Sequence, residues 1–270
     1  MKKIVAAMLC AVLVFTLAGC KRKKEPDTRP VLRVGMECGY VPYNWESYDG
    51  SFDGVDIKSS ARYANGYDTK IAQKIADRLD CRLQVVKLDW TELAPSLRSG
   101  KIDMIIAGLS PYESDDIVFS LPYYESDIVV VVKDDGDYKD AESINDFQDA
   151  IIGAQMDTVH ETLFAQMQYI NDERFFGDYD SMIAALQDGE IDGYIAEFPV
   201  AVANAEKYEG FTYIKLENNG TGFEIDEESA TVAVAMRKGD SRLETVNEVI
   251  GSLSESDREK LMKKCIQNQP

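Results

Sequence analysis

From Val31 onward the apolar positions of the chain alternate between two spacings. Short runs at Leu32 to Met36, Arg82 to Leu88 and Met104 to Ala107 predict strands. Between them Ile71, Ile75 and Leu79, with Ala72 and Ala76, recur at helical spacing and give a helix one apolar face. Thr91 to Arg98 predicts a second helix, stopped by Gly100. Strands alternating with amphipathic helices in this way build a mainly parallel sheet covered by helices.

The series then starts again. Ile128 to Val132 is apolar and β-branched and runs into Lys133-Asp134-Asp135-Gly136-Asp137, which predicts a crossing to a second lobe. There a strand at Ile151 to Ala154, a helix opening near Thr158, a helix over Tyr179 to Leu186, and strands at Tyr194 to Ala196 and Thr212 to Leu216 are expected. Polar Glu217 to Ser229 reads as the return crossing, Thr231 to Met236 as a strand rejoining the first lobe, and Leu243 to Ile250 and Ser256 to Ile266 as closing helices. Ser256, with Glu259 three residues on, has the spacing of a capping box. Leu97-Arg98-Ser99-Gly100-Lys101-Ile102-Asp103 is echoed by Leu186-Gln187-Asp188-Gly189-Glu190-Ile191-Asp192, each reading as helix, glycine cap, then strand. The expected plan is therefore two lobes of like α/β design, 31–130 plus 224–270 and 131–223.

Composition changes the picture at the beginning of the chain. Lys2 and Lys3, the apolar run Ile4 to Leu17, and Ala18-Gly19-Cys20 read as a secretory leader, too short to span a membrane as a helix. Leu17-Ala18-Gly19-Cys20 resembles the lipobox of bacterial lipoproteins. On that reading residues 1–19 are a signal peptide, Cys20 carries the lipid, and residues 20–30 are a charged, proline-containing tether. Its Lys21-Arg22-Lys23-Lys24 run is either a contact for anionic headgroups or a solvated leash.

The formal net charge is −19, and −21 once Lys2 and Lys3 leave with the leader. Nucleic acid is a poor partner for such a chain, because phosphate binding needs the opposite sign. A cationic ligand suits the field, although acidity also simply keeps a secreted protein in solution. After Cys20 only Cys38, Cys81 and Cys265 remain, without the paired short spacing of a zinc motif or a disulfide framework. One bridge or three free thiols both fit. His160 is the only histidine, which argues against His-based hydrolase chemistry and multi-His metal sites. No metal and no cofactor are expected.

Taken in order, Val34-Gly35-Met36-Glu37, Tyr40-Val41-Pro42-Tyr43, Gly66-Tyr67-Asp68, Trp90, Ser99 to Asp103, Ala107-Gly108-Leu109-Ser110, Phe119 to Tyr124 and Asp192-Gly193-Tyr194 resemble the polar amino-acid-binding proteins of ABC importers. The likeness implies a type II periplasmic-binding fold: α/β, two lobes joined by two crossover strands, with a ligand cleft between lobes that close by hinge motion. It also implies a set of site residues. Glu37 would meet a distal polar or cationic group. Tyr40, Tyr43 and Trp90 would enclose the ligand stem. Gly108 and Ser110 would meet its main-chain-like end. Thr158, at a helix start, would favour a carboxylate, and Glu197 would pair with the α-ammonium.

The chain departs from the family at one place. After the Ser110-Pro111 turn the family carries an arginine that forks onto the ligand carboxylate. Here Asp115 stands near that position, in a segment about two residues shorter. Arg62 from the long 49–66 loop, backbone N–H groups with Thr158, or a ligand without a carboxylate are the three ways round it. The resemblance implies an extracytoplasmic receptor, expected to be monomeric and not an enzyme, that delivers an amino acid to ABC importer membrane subunits. The lipobox adds the lipid anchor, and Glu37, Glu197, the aromatic set and the net charge point to a basic amino acid. Alternatives are a receptor for a cationic amine lacking a carboxylate or for a neutral amino acid such as glutamine, a periplasmic dehydratase on the same fold, or a sensor subunit.

Overall fold

A computed structural model describes residues 27–217, 220–226 and 229–270. The expected leader, the expected lipidation site Cys20 and the expected tether up to residue 26 lie outside the described residues. Strand β1 (Val31–Met36) leads into a small antiparallel sheet made of β2 (Gly39–Tyr40), β3 (Asn44–Ser47), β4 (Val55–Asp56) and β5 (Tyr63–Asn65). Helix α1 (Tyr67–Arg78), β6 (Arg82–Lys87), α2 (Trp90–Arg98), β7 (Met104–Ile105) and β8 (Ile117–Glu125) follow. The second lobe holds β9 (Ile128–Lys133), β10 (Ile151–Gln155), α3 (Val159–Leu163), β11 (Asp172–Phe176), α4 (Tyr179–Asp188), β12 (Gly193–Glu197), α5 (Phe198–Lys207) and β13 (Phe211–Ile214). Strand β14 (Thr231–Arg237) returns to the first lobe, and α6 (Leu243–Gly251) and α7 (Glu255–Gln267) close the chain.

The lobes share one plan. The first sheet runs β6-β1-β7-β14-β8 and the second β11-β10-β12-β9-β13. In each, three neighbouring strands are parallel and the fourth runs against them. Leu32, Val34 and Met36 of β1 are fully buried, each stabilising the fold by up to about 1.5–3 kcal/mol through removal of apolar surface from water. The helical face expected on α1 is the buried one, at Ile71, Ala72, Ile75 and Ala76.

The echoed sequence units fold alike. Gly100 and Gly189 both have positive φ, 77° and 73°, and each turns the chain from helix to strand. The aspartate three residues on then locks onto the first residues of a central parallel strand of its own lobe, β1 or β10. Asp103 accepts from Arg33 N at 2.9 Å and its own N–H donates to Arg33 O at 2.8 Å. Asp192 accepts from Ile151 N at 2.7 Å and donates to Ile151 O at 2.8 Å.

Three expectations shift. The passage between sheets lies at Ser126–Asp127, where β8 ends and β9 begins, and not at 130/131. Phe223 and Ile225 pack into a cluster of the second lobe, so that lobe runs past residue 223. The last helix is capped by Ser254 with Asp257, not by Ser256 with Glu259. The long 49–66 segment contributes β4 and β5 to the small sheet, and its Phe52 stacks on Trp45 of β3 with ring centroids 6.2 Å apart. Cys38, Cys81 and Cys265 are free thiols.

Candidate functional site

Four strand ends point at one another across the interface of the lobes. The segments that follow β1 and β7 come from the first lobe and those that follow β10 and β12 from the second. Ligands of open α/β sheets sit beyond carboxyl ends of strands in this way. The cavity between the lobes, partly open to solvent, measures about 410 Å³, within the range of small-molecule sites. Of the eight ligand-site residues expected from the sequence, Tyr40, Trp90, Gly108, Ser110, Thr158 and Glu197 line it.

Glu197 ends β12 and is buried. Its Oε2 accepts a hydrogen bond from the hydroxyl of Tyr40, a contact that crosses from one lobe to the other. The Tyr40 ring lies between Tyr43 and Tyr179, with centroids 5.1 Å and 4.6 Å away. Burial and the nearby Glu197 charge hold the Tyr40 hydroxyl far above its ordinary pKa, so it stays a donor. Gly108 makes room for this ring. It sits at φ 64°, and a Cβ there would come within 2.5 Å of Tyr40 Cε1.

Behind the cavity a buried polar chain fixes the two first-lobe segments to each other. Cys38 N donates to Asn44 Oδ1 at 2.7 Å, Asn44 Nδ2 to Asp68 Oδ2 at 2.8 Å, and the Tyr123 hydroxyl to Asp68 Oδ1 at 2.7 Å. Gly108 N donates to the Tyr123 hydroxyl at 3.1 Å. Burial pushes the Asp68 carboxyl up to about 7, against the pull of its Tyr123 and Asn44 bonds. The Gly66-Tyr67-Asp68 motif marked this position in the sequence, but its function as the hub of a support was not readable there.

Two expected residues stand off the cavity wall. Tyr43 is fully buried behind Tyr40, with Tyr67 and Tyr124 edge-on to its ring, so it is part of the core and not of the enclosure. Glu37 instead reaches across the cleft, where its Oε1 accepts from Gln155 Nε2 at 3.2 Å. Burial raises the Glu37 carboxyl to about 8, the charges of Asp178, Asp89 and Asp180 add to the rise, and the Gln155 bond opposes it.

Thr158 precedes a helix of only five residues, makes no side-chain cap bond, and donates through Oγ1 to Gln155 O at 2.8 Å. Sequence reasoning missed Gln155, Asp157 and Tyr112 as lining residues, and set His160 aside. His160 is 2 % exposed, and its Nε2 stands 3.6 Å from Glu197 Oε1.

Among the described residues lining the cavity there is no arginine or lysine. Asp115 is exposed and off the wall. Arg62 does not turn inward: its guanidinium lies over the Tyr48 ring, 3.4 Å from the centroid, and 3.9 Å from Glu46. The wall thus combines the carboxylate of Glu197, that of Asp157 at the rim, and the aromatic faces of Tyr40, Trp90 and Tyr112.

Residues 32–268 match the model of the family of bacterial extracellular solute-binding proteins, family 3. A probable histidine-binding protein of Campylobacter jejuni is 28 % identical over 83 % of this chain and 85 % of its own. The arginine-binding extracellular protein ArtP of Bacillus subtilis is 22 % identical over 98 % of both. A crystal structure of an amino acid ABC transporter substrate-binding protein from Streptococcus pneumoniae, bound to L-arginine, superposes with a TM-score of 0.76 at 26 % identity. That match covers 88 % of this chain and 94 % of that one. The paired sheets, the cleft at their strand ends and a family match that spans nearly all the described chain agree: this protein belongs to the bacterial extracellular solute-binding proteins, family 3.

Proposed function

We propose that the protein captures a basic amino acid outside the cytoplasm and delivers it to the membrane subunits of an ABC importer. It acts as a monomeric binding protein and not as an enzyme, and the lipid on Cys20 tethers it to the membrane. The observation that carries the ligand class is the charge of the wall. Glu197 and Asp157 face a cavity into which no lysine or arginine reaches among the described residues. The α-ammonium of any amino acid pairs with the buried Glu197, and only a ligand with a second cation also engages the exposed carboxylate of Asp157 at the rim. Tyr40, Trp90 and Tyr112 supply faces on which a guanidinium or an ammonium-bearing stem packs, at about 0.5–2 kcal/mol per contact. The relatives named as an arginine-binding protein and a probable histidine-binding protein support the same class.

Calorimetric titration of the purified protein with L-arginine, L-lysine, L-histidine, L-glutamine and L-glutamate tests this. A basic member is expected to bind, and at about a hundredfold excess over its Kd to stabilise the fold by about 2.7 kcal/mol. Binding of glutamine or glutamate with no heat from any basic member overturns it.

A further inference from the structure

His160 has no evident task in the fold. It is the second residue of α3, almost wholly buried, and it lines the cavity beside Glu197. Neither ring nitrogen has a hydrogen-bond partner among the described residues. Its Nε2 is 3.6 Å from Glu197 Oε1, too far for a hydrogen bond. An imidazole always carries an N–H donor, and buried polar groups are paired in folded proteins unless something else supplies the partner. At a cavity wall that partner is a ligand.

The charges say which part of the ligand. Resting on the reading that the ligand is a basic amino acid, it brings two cations and one carboxylate. The wall offers two carboxylates, Glu197 and Asp157, and one imidazole N–H donor without a partner, His160. The α-ammonium and α-carboxylate of an amino acid hang from one carbon, so their partners must stand a few ångströms apart. Glu197 and His160 do. Six other donor side chains of the wall are already engaged: Tyr40 with Glu197, Thr158 with Gln155 O, Thr162 with Val159 O, Ser110 with Ser229 O at 3.4 Å, Ser229 with Asp226, and Gln155 with Glu37 and Gly177 O. We infer that His160 holds the ligand's α-carboxylate through an imidazole N–H while the adjacent Glu197 takes the α-ammonium.

Agmatine, which is arginine without its carboxylate, separates this assignment from general packing. The full-length protein and its His160→Ala and His160→Gln variants are titrated with L-arginine and with agmatine. The wild type is expected to prefer L-arginine by about ten- to a hundredfold, as for a hydrogen bond to a charged group. His160→Ala abolishes that preference by weakening L-arginine alone, with agmatine held within about threefold. His160→Gln keeps an N–H donor of similar reach and size, so it restores part of the preference and guards against a folding defect in the alanine variant. Equal loss of both ligands in both variants, or a preference untouched by either, overturns the assignment.

If the wild type binds L-glutamine and no basic amino acid, the proposed function fails. His160 is then read by the same comparison with L-glutamine and 4-aminobutanamide, its decarboxylated form. A wild type that binds no amino acid overturns both.

Discussion

Gly108 and Tyr40 show how one missing atom shapes the cleft. The ring of Tyr40 occupies the space a Gly108 side chain would fill, and its hydroxyl then reaches Glu197 in the other lobe. Gly108→Ala forces the ring aside and places alanine at positive φ, so it is expected to cost about 1–3 kcal/mol from overpacking, with backbone strain in addition. Thermal melts read the stability loss, and calorimetry reads the fall in ligand affinity that follows when Tyr40 leaves Glu197. A variant as stable and as tight as the wild type removes this account of the glycine.

Glu37 makes a prediction of opposite sign to the usual carboxylate. Its folded pKa, raised to about 8 by burial, lies above its ordinary value of 4.5. Between those values the folded chain keeps a proton that the unfolded chain releases. Stability from this group is therefore full below about pH 4.5 and is lost as pH rises towards 8. Asp68, raised to about 7 from 3.8, adds a contribution of the same sign that ends lower. Melting temperatures taken from pH 5 to pH 8 are expected to fall less steeply in Glu37→Gln than in the wild type. Parallel slopes show that Glu37 ionises in the fold as it does in solution.

Among the secondary-structure elements, the start of α7 decides between two readings of one motif. Ser254 with Asp257 and Ser256 with Glu259 share the same spacing, so the sequence alone offers two registers. The fold uses Ser254, whose hydroxyl accepts from Asp257 N at 3.2 Å. Ser254→Ala is expected to cost about 1 kcal/mol and Ser256→Ala almost nothing, measured by denaturant melts. The reverse order puts the cap where spacing first suggested.

The elements that went unread have physical reasons. Strand β8 carries Pro122, which speaks against a strand, and it is tolerated because β8 is the edge of its sheet. Strand β11 is the far edge of the other sheet and mostly exposed, so Asp172 to Phe176 shows no buried alternation. Helix α5 begins Phe198-Pro199-Val200-Ala201-Val202-Ala203, an apolar run whose period fits either structure. By contrast the central strands and α1, buried on regular faces, were legible, as were the two helix–glycine–strand units. That Asp103 and Asp192 close those units by the same pair of backbone bonds was not.

The cleft divides along a similar line. Of the residues carried by ordered motifs, Tyr40, Trp90, Gly108 and Ser110 meet at one cavity, joined there by Thr158 and Glu197, which were placed by their positions at a helix start and a strand end. Tyr43 and Glu37 were misplaced because a motif fixes which strand end a residue follows and not which way its side chain turns. His160 was invisible because its meaning lies in burial and in what is not bonded to it, and both depend on α3 packing against Glu197.

Charge acts beyond the cavity. A formal balance of −19 over the chain gives a field that reaches past the cleft mouth and draws cations towards it, and such steering is screened by salt. The association rate of L-arginine is expected to fall between about 0.01 M and 0.5 M salt, as the Debye length shrinks from about 30 Å to well under 10 Å. The dissociation rate, set by desolvated contacts inside the cleft, changes much less. Stopped-flow traces of tyrosine and tryptophan fluorescence report both rates, because Tyr40 and Trp90 line the cavity. Agmatine, with one more net positive charge, sharpens the comparison: its association rate must fall more steeply with salt than that of L-arginine. Association rates that ignore salt for both ligands confine the acidity to solubility and leave selection of the ligand to Glu197, Asp157 and His160 alone.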